Sequence, residues 1–164
     1  MFPTDTQAAA PAGEPTDEVV LERMALLVVG EHRFGVGIER IREIIPARPY
    51  TPLPGSGPHV CGLINLRGRI VTVVDLGARL KLPSAAANPD HSIVIVEHRG
   101  KLAGLAVQEV SRIVDVDPAA LQDSACALRA LKIDRAYLRG VGETDGQVFV
   151  AVDPDEIIAP ILSA

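Results

Sequence analysis

From Arg23 onward the chain is a series of short apolar runs cut by turn residues. Residues 25–29 read as a strand, Gly30-Glu31-His32 as a turn and residues 33–38 as its hairpin partner, where Gly35 and Gly37 signal a bulge or bend. Over residues 39–45, with Ile38 just ahead, isoleucines at 38, 41 and 45 have helical spacing and predict a short helix or one turn of one. Pro46 should stop it, since proline lacks an N–H and restricts its predecessor. Residues 47–58 hold four prolines and two glycines and must be an extended loop. Val60–Leu66 and residues 69–74 are the next strands, joined tightly at Arg67-Gly68.

Residues 93–96 are apolar without alternation, the mark of a strand buried on both faces, and residues 102–107 supply its partner. Val110, Ile113, Val114 and Val116 continue in a mixed pattern, followed by a less regular stretch over 118–134. A last hairpin, 137–141 with 148–152, turns about Thr144-Asp145-Gly146. Asp153 is placed as an N-cap with Pro154 at the first helical position and Glu156 at the capping-box position. Ile157, Ile158, Ile161 and Leu162 form the buried stripe of this closing helix. Nine or ten strands at near-regular spacing, with no crossover helix long enough for a parallel sheet, predict an all-β barrel or sandwich.

Composition narrows the function. Apolar residues make up 48% of the chain and aromatics 3%, with no Trp, so the core is built from Val, Ile, Leu and Ala. No aromatic platform is available for stacking bases or sugars. The net charge of −5 sits in residues 1–22, which carry Asp5, Glu14, Asp17, Glu18 and Glu22 and no Lys or Arg. That segment is rich in Ala, Pro and Thr and is expected to be a disordered acidic tail, with residues 23–164 as one domain. Without the five acids the body is formally neutral, which gives no footprint for nucleic acid or an anionic membrane. An OB-type nucleic-acid barrel, which needs a basic stripe and exposed aromatics, is therefore disfavoured. Neither a signal peptide nor a membrane span is visible, and a cytoplasmic protein is expected.

Candidate chemistry is thin. His32, His59, His91 and His98 do not pair with Cys or one another at metal-ligand spacing. His59-Val60-Cys61 places an imidazole and a thiol on one face of a strand, an arrangement that could activate a nucleophile, but no third orienting group accompanies it. Cys61 and Cys126 read as free thiols in apolar surroundings. Gly35-Val36-Gly37 and Gly140-Val141-Gly142 continue into no phosphate-binding pattern and read as strand bends. Asp75 and Asp153 lie where strands give way to helix, which is where caps belong. No catalytic residue, cofactor or metal site is expected.

One segment stands apart. Asn65-Leu66-Arg67-Gly68-Arg69 puts two guanidinium groups at a turn between very apolar strands. A forked donor there can bind a partner's carboxylate or carbonyl; equally, the turn can be only a turn. The longer run from Gly62 to Leu76, GLINLRGRIVTVVDL, resembles the signature of CheW domains, and the resemblance extends over nearly all of residues 24–162. Phe34-Gly35-Val36, residues 41–45, Pro52-Leu53-Pro54, Gly104-Leu105-Ala106-Val107, residues 137–142 and Ile157-Ile158 follow in the family's order. Thr72 and Gln108 stand where the family commonly has Pro and Asp.

The resemblance implies two small five-stranded, SH3-like β-barrels packed on a shared hydrophobic core. One would hold approximately residues 24–80 plus the C-terminal end, the other approximately residues 90–150. It further implies a non-catalytic adaptor that couples the cytoplasmic tip of a methyl-accepting chemoreceptor to a CheA-type histidine kinase, recruited to membrane-associated arrays. A module of a pilus-motility or other chemosensory system that binds a kinase without classical receptors is the alternative. Carried over, Arg67, Glu43, Ile41 and Val107 are the receptor-facing residues, with plain core as the competing role of Ile41 and Val107. Leu128 and Leu131 are assigned to the kinase contact.

Overall fold

The structure, a computed structural model, describes residues 20–122 and 133–162. Strands β1 (Glu22–Val29) and β2 (His32–Gly37) form a hairpin, and a 3-10 turn at Ile38–Arg40 leads into β3 (Ile41–Pro46). Then come β4 (Val60–Leu66), β5 (Arg69–Asp75), α1 (Leu76–Arg79), β6 (Ser92–His98), β7 (Lys101–Val107) and β8 (Glu109–Val116). After 3-10 turns at Pro118–Ala120 and Arg135–Tyr137 the described chain closes with β9 (Leu138–Thr144), β10 (Gln147–Val152) and α2 (Pro154–Leu162). The protein is mostly β, as expected.

Three local expectations are corrected. Residues 41–45 are strand, not helix: β-branched isoleucines ending in Pro46 favour the strand, and the skipped Arg42 lets Ile41 and Ile45 pack on opposite faces of it. Glu22, assigned to the disordered tail, is the first residue of β1 and accepts two hydrogen bonds from Arg139, at 2.7 and 2.8 Å. Asp153 does cap the last helix, accepting from the Asp155 amide at 3.0 Å. Its own amide, which a capping-box Glu156 would engage, donates instead to the Tyr137 carbonyl at 2.9 Å.

The described strands make two five-stranded sheets, ordered β9-β10-β2-β1-β8 and β3-β6-β7-β5-β4. The strands therefore do not sort into barrels at 24–80 and 90–150. Hairpin β1–β2 leaves the strands that follow it and joins β8, β9 and β10, while hairpin β6–β7 joins β3, β4 and β5. The two sheets repeat one pattern: antiparallel hairpin, parallel step (β5 with β7, β10 with β2), then two antiparallel steps. In each, chain running on from one edge strand bridges to the other edge, at Thr51↔Leu63 and at Gln122↔Val141. Each sheet thus curls toward closure without a continuous ladder across the gap.

Strand register makes positions of the two sheets correspond. Gly104 lies beside Val73 as Gly35 lies beside Ala151, and from there Gly62 matches Gly140, Arg67-Gly68 matches Asp145-Gly146 and Asp75 matches Asp153. Bulges recur too: Arg42 is skipped between Ile41 and Glu43 as Ser111 is between Val110 and Arg112. Glu43 therefore corresponds to Arg112, and Ile44 to Ile113.

The core has three parts. Met24, Leu26, Val114, Val116, Phe149 and Ala151 fill the first sheet's interior, and Ile45, Ile64, Leu66, Val71, Val73, Ile93, Ile95 and Ala106 fill the second's. The alternate residues of the same strands, among them Ala25, Leu27, Val74, Val94, Val96, Leu105 and Val107, meet Ile157 and Ile158 in a cluster shared by both sheets. Burial on both faces explains why residues 93–96 lack alternation.

Candidate docking site

The segment singled out in the sequence forms the β4–β5 hairpin tip. Arg67 (φ 51°) and Gly68 (φ 86°) both take positive φ, as a two-residue turn matched to strand twist requires. Asn65 locks the turn by accepting from the Gly68 amide through Oδ1 at 2.8 Å. Turn chemistry and an exposed guanidinium therefore coexist here: Arg67 can serve the surface because Gly68 and Asn65 serve the fold.

The Arg67 guanidinium reaches across the open edge of its sheet to β3. Nη1 donates to Glu43 Oε2 at 2.6 Å and Nη2 to Oε1 at 3.1 Å, a forked pair. Arg67 keeps 74% of its side chain exposed, so the pair fixes its direction while leaving donors for a partner. Arg48 spans the same gap, donating to the Asn65 carbonyl at 3.1 Å, and Arg42 pairs with Glu97. Ile44 and Ile70, next to Glu43 and Arg69, are among the exposed large apolar side chains. Exposed apolar side chains beside oriented charges suit docking.

Of the residues assigned to this site, Glu43 and Arg67 are in direct contact. Ile41 lies two residues before Glu43, half-buried against the shared core. Val107 is fully buried in that core and has no surface to offer, so its receptor-facing assignment is replaced by a packing role. Leu128 and Leu131 lie outside the described residues. The exposed Ile44 and Ile70 were missed, because residues 41–45 read as a helix and residues 69–74 as a plain core strand, and the bulge at Arg42 breaks simple alternation along β3.

The Cys61 arrangement is not an activated thiol. Burial, reinforced by the charge of Asp75, pushes the Cys61 thiol up to about 12, against a smaller opposing hydrogen bond from Tyr50. Burial and the nearby Arg79 lower the His59 imidazole. Both effects keep the two groups neutral at physiological pH, unlike a thiolate–imidazolium couple. Among the described residues, no three His, Cys, Asp or Glu side chains are grouped to hold a metal ion, and no helix is long and apolar enough to cross a membrane.

Asp75, at the end of β5, does more than cap. It is buried and accepts from the amides of Ala78 (3.1 Å), Ala85 (3.0 Å) and Ala86 (3.1 Å) and from the Ser84 hydroxyl, tying α1 and the following loop to the strand. That loop in turn positions His91, buried, whose Nε2 lies 2.6 Å from the Tyr50 hydroxyl.

The chain is similar to several known proteins. The model of the family described as CheW-like domain matches residues 23–161. The chemotaxis protein CheW of Rhizobium meliloti (strain 1021) is 33% identical over 129 residues, covering 79% of this chain and 82% of the relative. Protein PilI of Pseudomonas aeruginosa is 32% identical over 82 residues, 50% of this chain and 46% of that one. The crystal structure of the scaffolding protein TtCheW from Thermoanaerobacter tengcongensis superposes with a TM-score of 0.73 at 26% identity, covering 82% of this chain and 90% of that one.

Proposed function

The chain belongs to the CheW-like domain family of chemotaxis scaffold proteins, and from that membership we propose that it couples chemoreceptors to a CheA-type histidine kinase without catalysing a reaction itself. The observation that carries the proposal is the forked Arg67–Glu43 pair on an exposed hairpin tip, inside the stretch that resembles the family signature. Arg67 and Glu43 face the cytoplasmic tip of a methyl-accepting receptor, with Ile41 supporting the strand from beneath, and Ile44 and Ile70 add the apolar contact. Leu128 and Leu131 belong to the kinase contact. Coupling is thermodynamic: an adaptor bound to both partners biases the kinase only through differential affinity for its states. The protein then works on the cytoplasmic side, recruited to membrane-associated arrays.

Arg67→Glu tests the receptor contact. It sets two carboxylates together at an exposed position, so the circular dichroism spectrum should be unchanged while co-sedimentation with receptor-containing membranes is lost. Unchanged co-sedimentation removes Arg67 from the interface. The similarity to PilI over half of the chain supports a second reading, service in a pilus-based system. Whether a chemoreceptor co-purifies with the kinase from the native lysate separates the two.

A further inference from the structure

Two clefts meet where β1 begins. Val20 and Leu21, the first described residues, are exposed and line one of them together with Glu22, Ile38 and Glu39. Glu39 also lines the second, a cleft of about 360 Å³ walled by Arg40, Ile41, Arg42, Glu97 and Arg99. Chain that leaves the fold through Val20 therefore starts beside three guanidinium groups.

The charges around the second cleft do not cancel. Arg42 pairs with Glu97, and Arg40 pairs with Asp155, which also contacts His98. Arg139, bound to Glu22, feels the charge of Glu39 as well. Arg99 is left over, and so are Lys101 and Arg69 at the same β6–β7 tip, where Arg69 Nη2 donates to the Gly100 carbonyl at 3.5 Å. All three are exposed and have no ion-pair partner among the described residues. Positive φ at Arg99 (51°) and Gly100 (80°) makes this tip a tight turn that holds its cations at the cleft mouth.

The chain carries the complement. Residues 1–19 contain Asp5, Glu14, Asp17 and Glu18 and no Lys or Arg. In extended chain, at about 3.3 Å per residue, Asp17 and Glu18 fall within ~10 Å of Val20 and Glu14 within ~20 Å. β3 and β6 are paired neighbours about 5 Å apart, so these reaches cover Arg40, Arg42 and then Arg99.

From this arrangement we infer that residues 14–18 dock on the Arg40–Arg42–Arg99 cleft of their own chain, carboxylates against guanidinium groups and Lys101. Exposed ion pairs are individually weak, so a free acidic peptide would bind poorly there. Tethering through Val20 sets an effective concentration on the order of millimolar, which favours the chain's own segment over any other occupant. Ile41 and Arg42 precede Glu43 on β3, so the docked segment and a receptor compete for one edge. That consequence rests on the receptor reading proposed above; the docking itself does not.

The test compares ¹H–¹⁵N spectra of the full chain with those of a tail variant, Glu14→Gln with Asp17→Asn and Glu18→Gln. At low salt the amides of residues 38–42 and 97–101 should differ between the two, and the difference should vanish in about 0.5 M NaCl, where screening is strong. Arg99→Glu with Lys101→Glu should erase the difference, and lysines at positions 14, 17 and 18 should restore it in that background. Spectra that superpose at low salt, differences that survive high salt, or a reversal that fails to restore them would each overturn the docking. Differences that fade on tenfold dilution would assign the cleft to the tail of a second copy and overturn it equally. The competition is read by co-sedimentation with receptor-containing membranes, in which the tail variant should bind at lower concentration than the native protein. Equal binding would overturn the competition, whereas a native protein that does not sediment at all counts against the receptor reading and leaves the docking to the spectra.

Discussion

Replacing Asp75 by Ala removes the acceptor for three backbone amides and a hydroxyl at once, around a loop that holds α1 against the shared core. Losing an N-cap costs about 1 kcal/mol. Leaving a buried amide such as that of Ala85 without an acceptor costs ~1–3 kcal/mol. Removing the buried carboxylate also relieves its own desolvation, which offsets part of the loss, and the net is a destabilisation of about 3 kcal/mol. For a domain of this size that is a drop in Tm of roughly 10 °C. Asp117→Ala is the control: Asp117 also caps a turn, through the Ala119 amide at 2.9 Å, but on the surface. It should cost no more than about 1 kcal/mol. Thermal unfolding followed by circular dichroism reads both. If Asp75→Ala lowers Tm no further than Asp117→Ala, Asp75 is a cap and nothing more.

A Cβ on Gly62 would sit 2.5 Å from the Thr51 carbonyl, in the bridge that draws the second sheet's edges together. Gly62→Ala should therefore destabilise by more than Gly68→Ala, whose Cβ meets open space and whose positive φ costs ~1 kcal/mol; equal losses in urea unfolding would show that the bridge contributes little. Acid stability should depend on two carboxylates. The hydrogen bond from Arg139 holds Glu22 below its usual 4.5. For Asp155, burial pushes upward, but the hydrogen bonds from His98 and Arg40 outweigh it and hold the carboxyl below its usual 3.8. Both groups stabilise the fold in full above those usual values and lose that contribution as pH falls through their lower folded values. Glu22→Gln with Asp155→Asn should flatten stability against pH below about 4.5, where the native protein declines; parallel curves would contradict it. Cys61, protonated at neutral pH, should react with iodoacetamide far more slowly in the native protein than in urea, and equal rates would expose an activated thiol.

Local elements were legible where short-range chemistry decides them. Val60–Leu66 and the strand after it were readable because β-branched residues flank an Arg-Gly turn that only positive φ satisfies. The β4–β5 tip was legible for the same reason, and the family resemblance supplied its proposed role. The partition of strands between sheets was not legible, because β1–β2 and β6–β7 are exchanged between halves by parallel pairings that leave no local trace. The correspondence of Arg67 with Asp145 is also hidden in a linear reading, since the matched residues have opposite charge and only register aligns them. Val107 misled because an apolar residue at a family contact position looks the same whether it faces a partner or the core.

The coupling claim is tested most directly by sedimenting receptor-containing membranes with a CheA-type kinase, with and without this protein. Coupling requires that much more kinase sediments when the protein is present, and that Arg67→Glu removes the gain while the folded variant stays in the supernatant. Kinase sedimenting equally in the protein's absence, or the protein sedimenting while the kinase does not follow, would contradict the adaptor role.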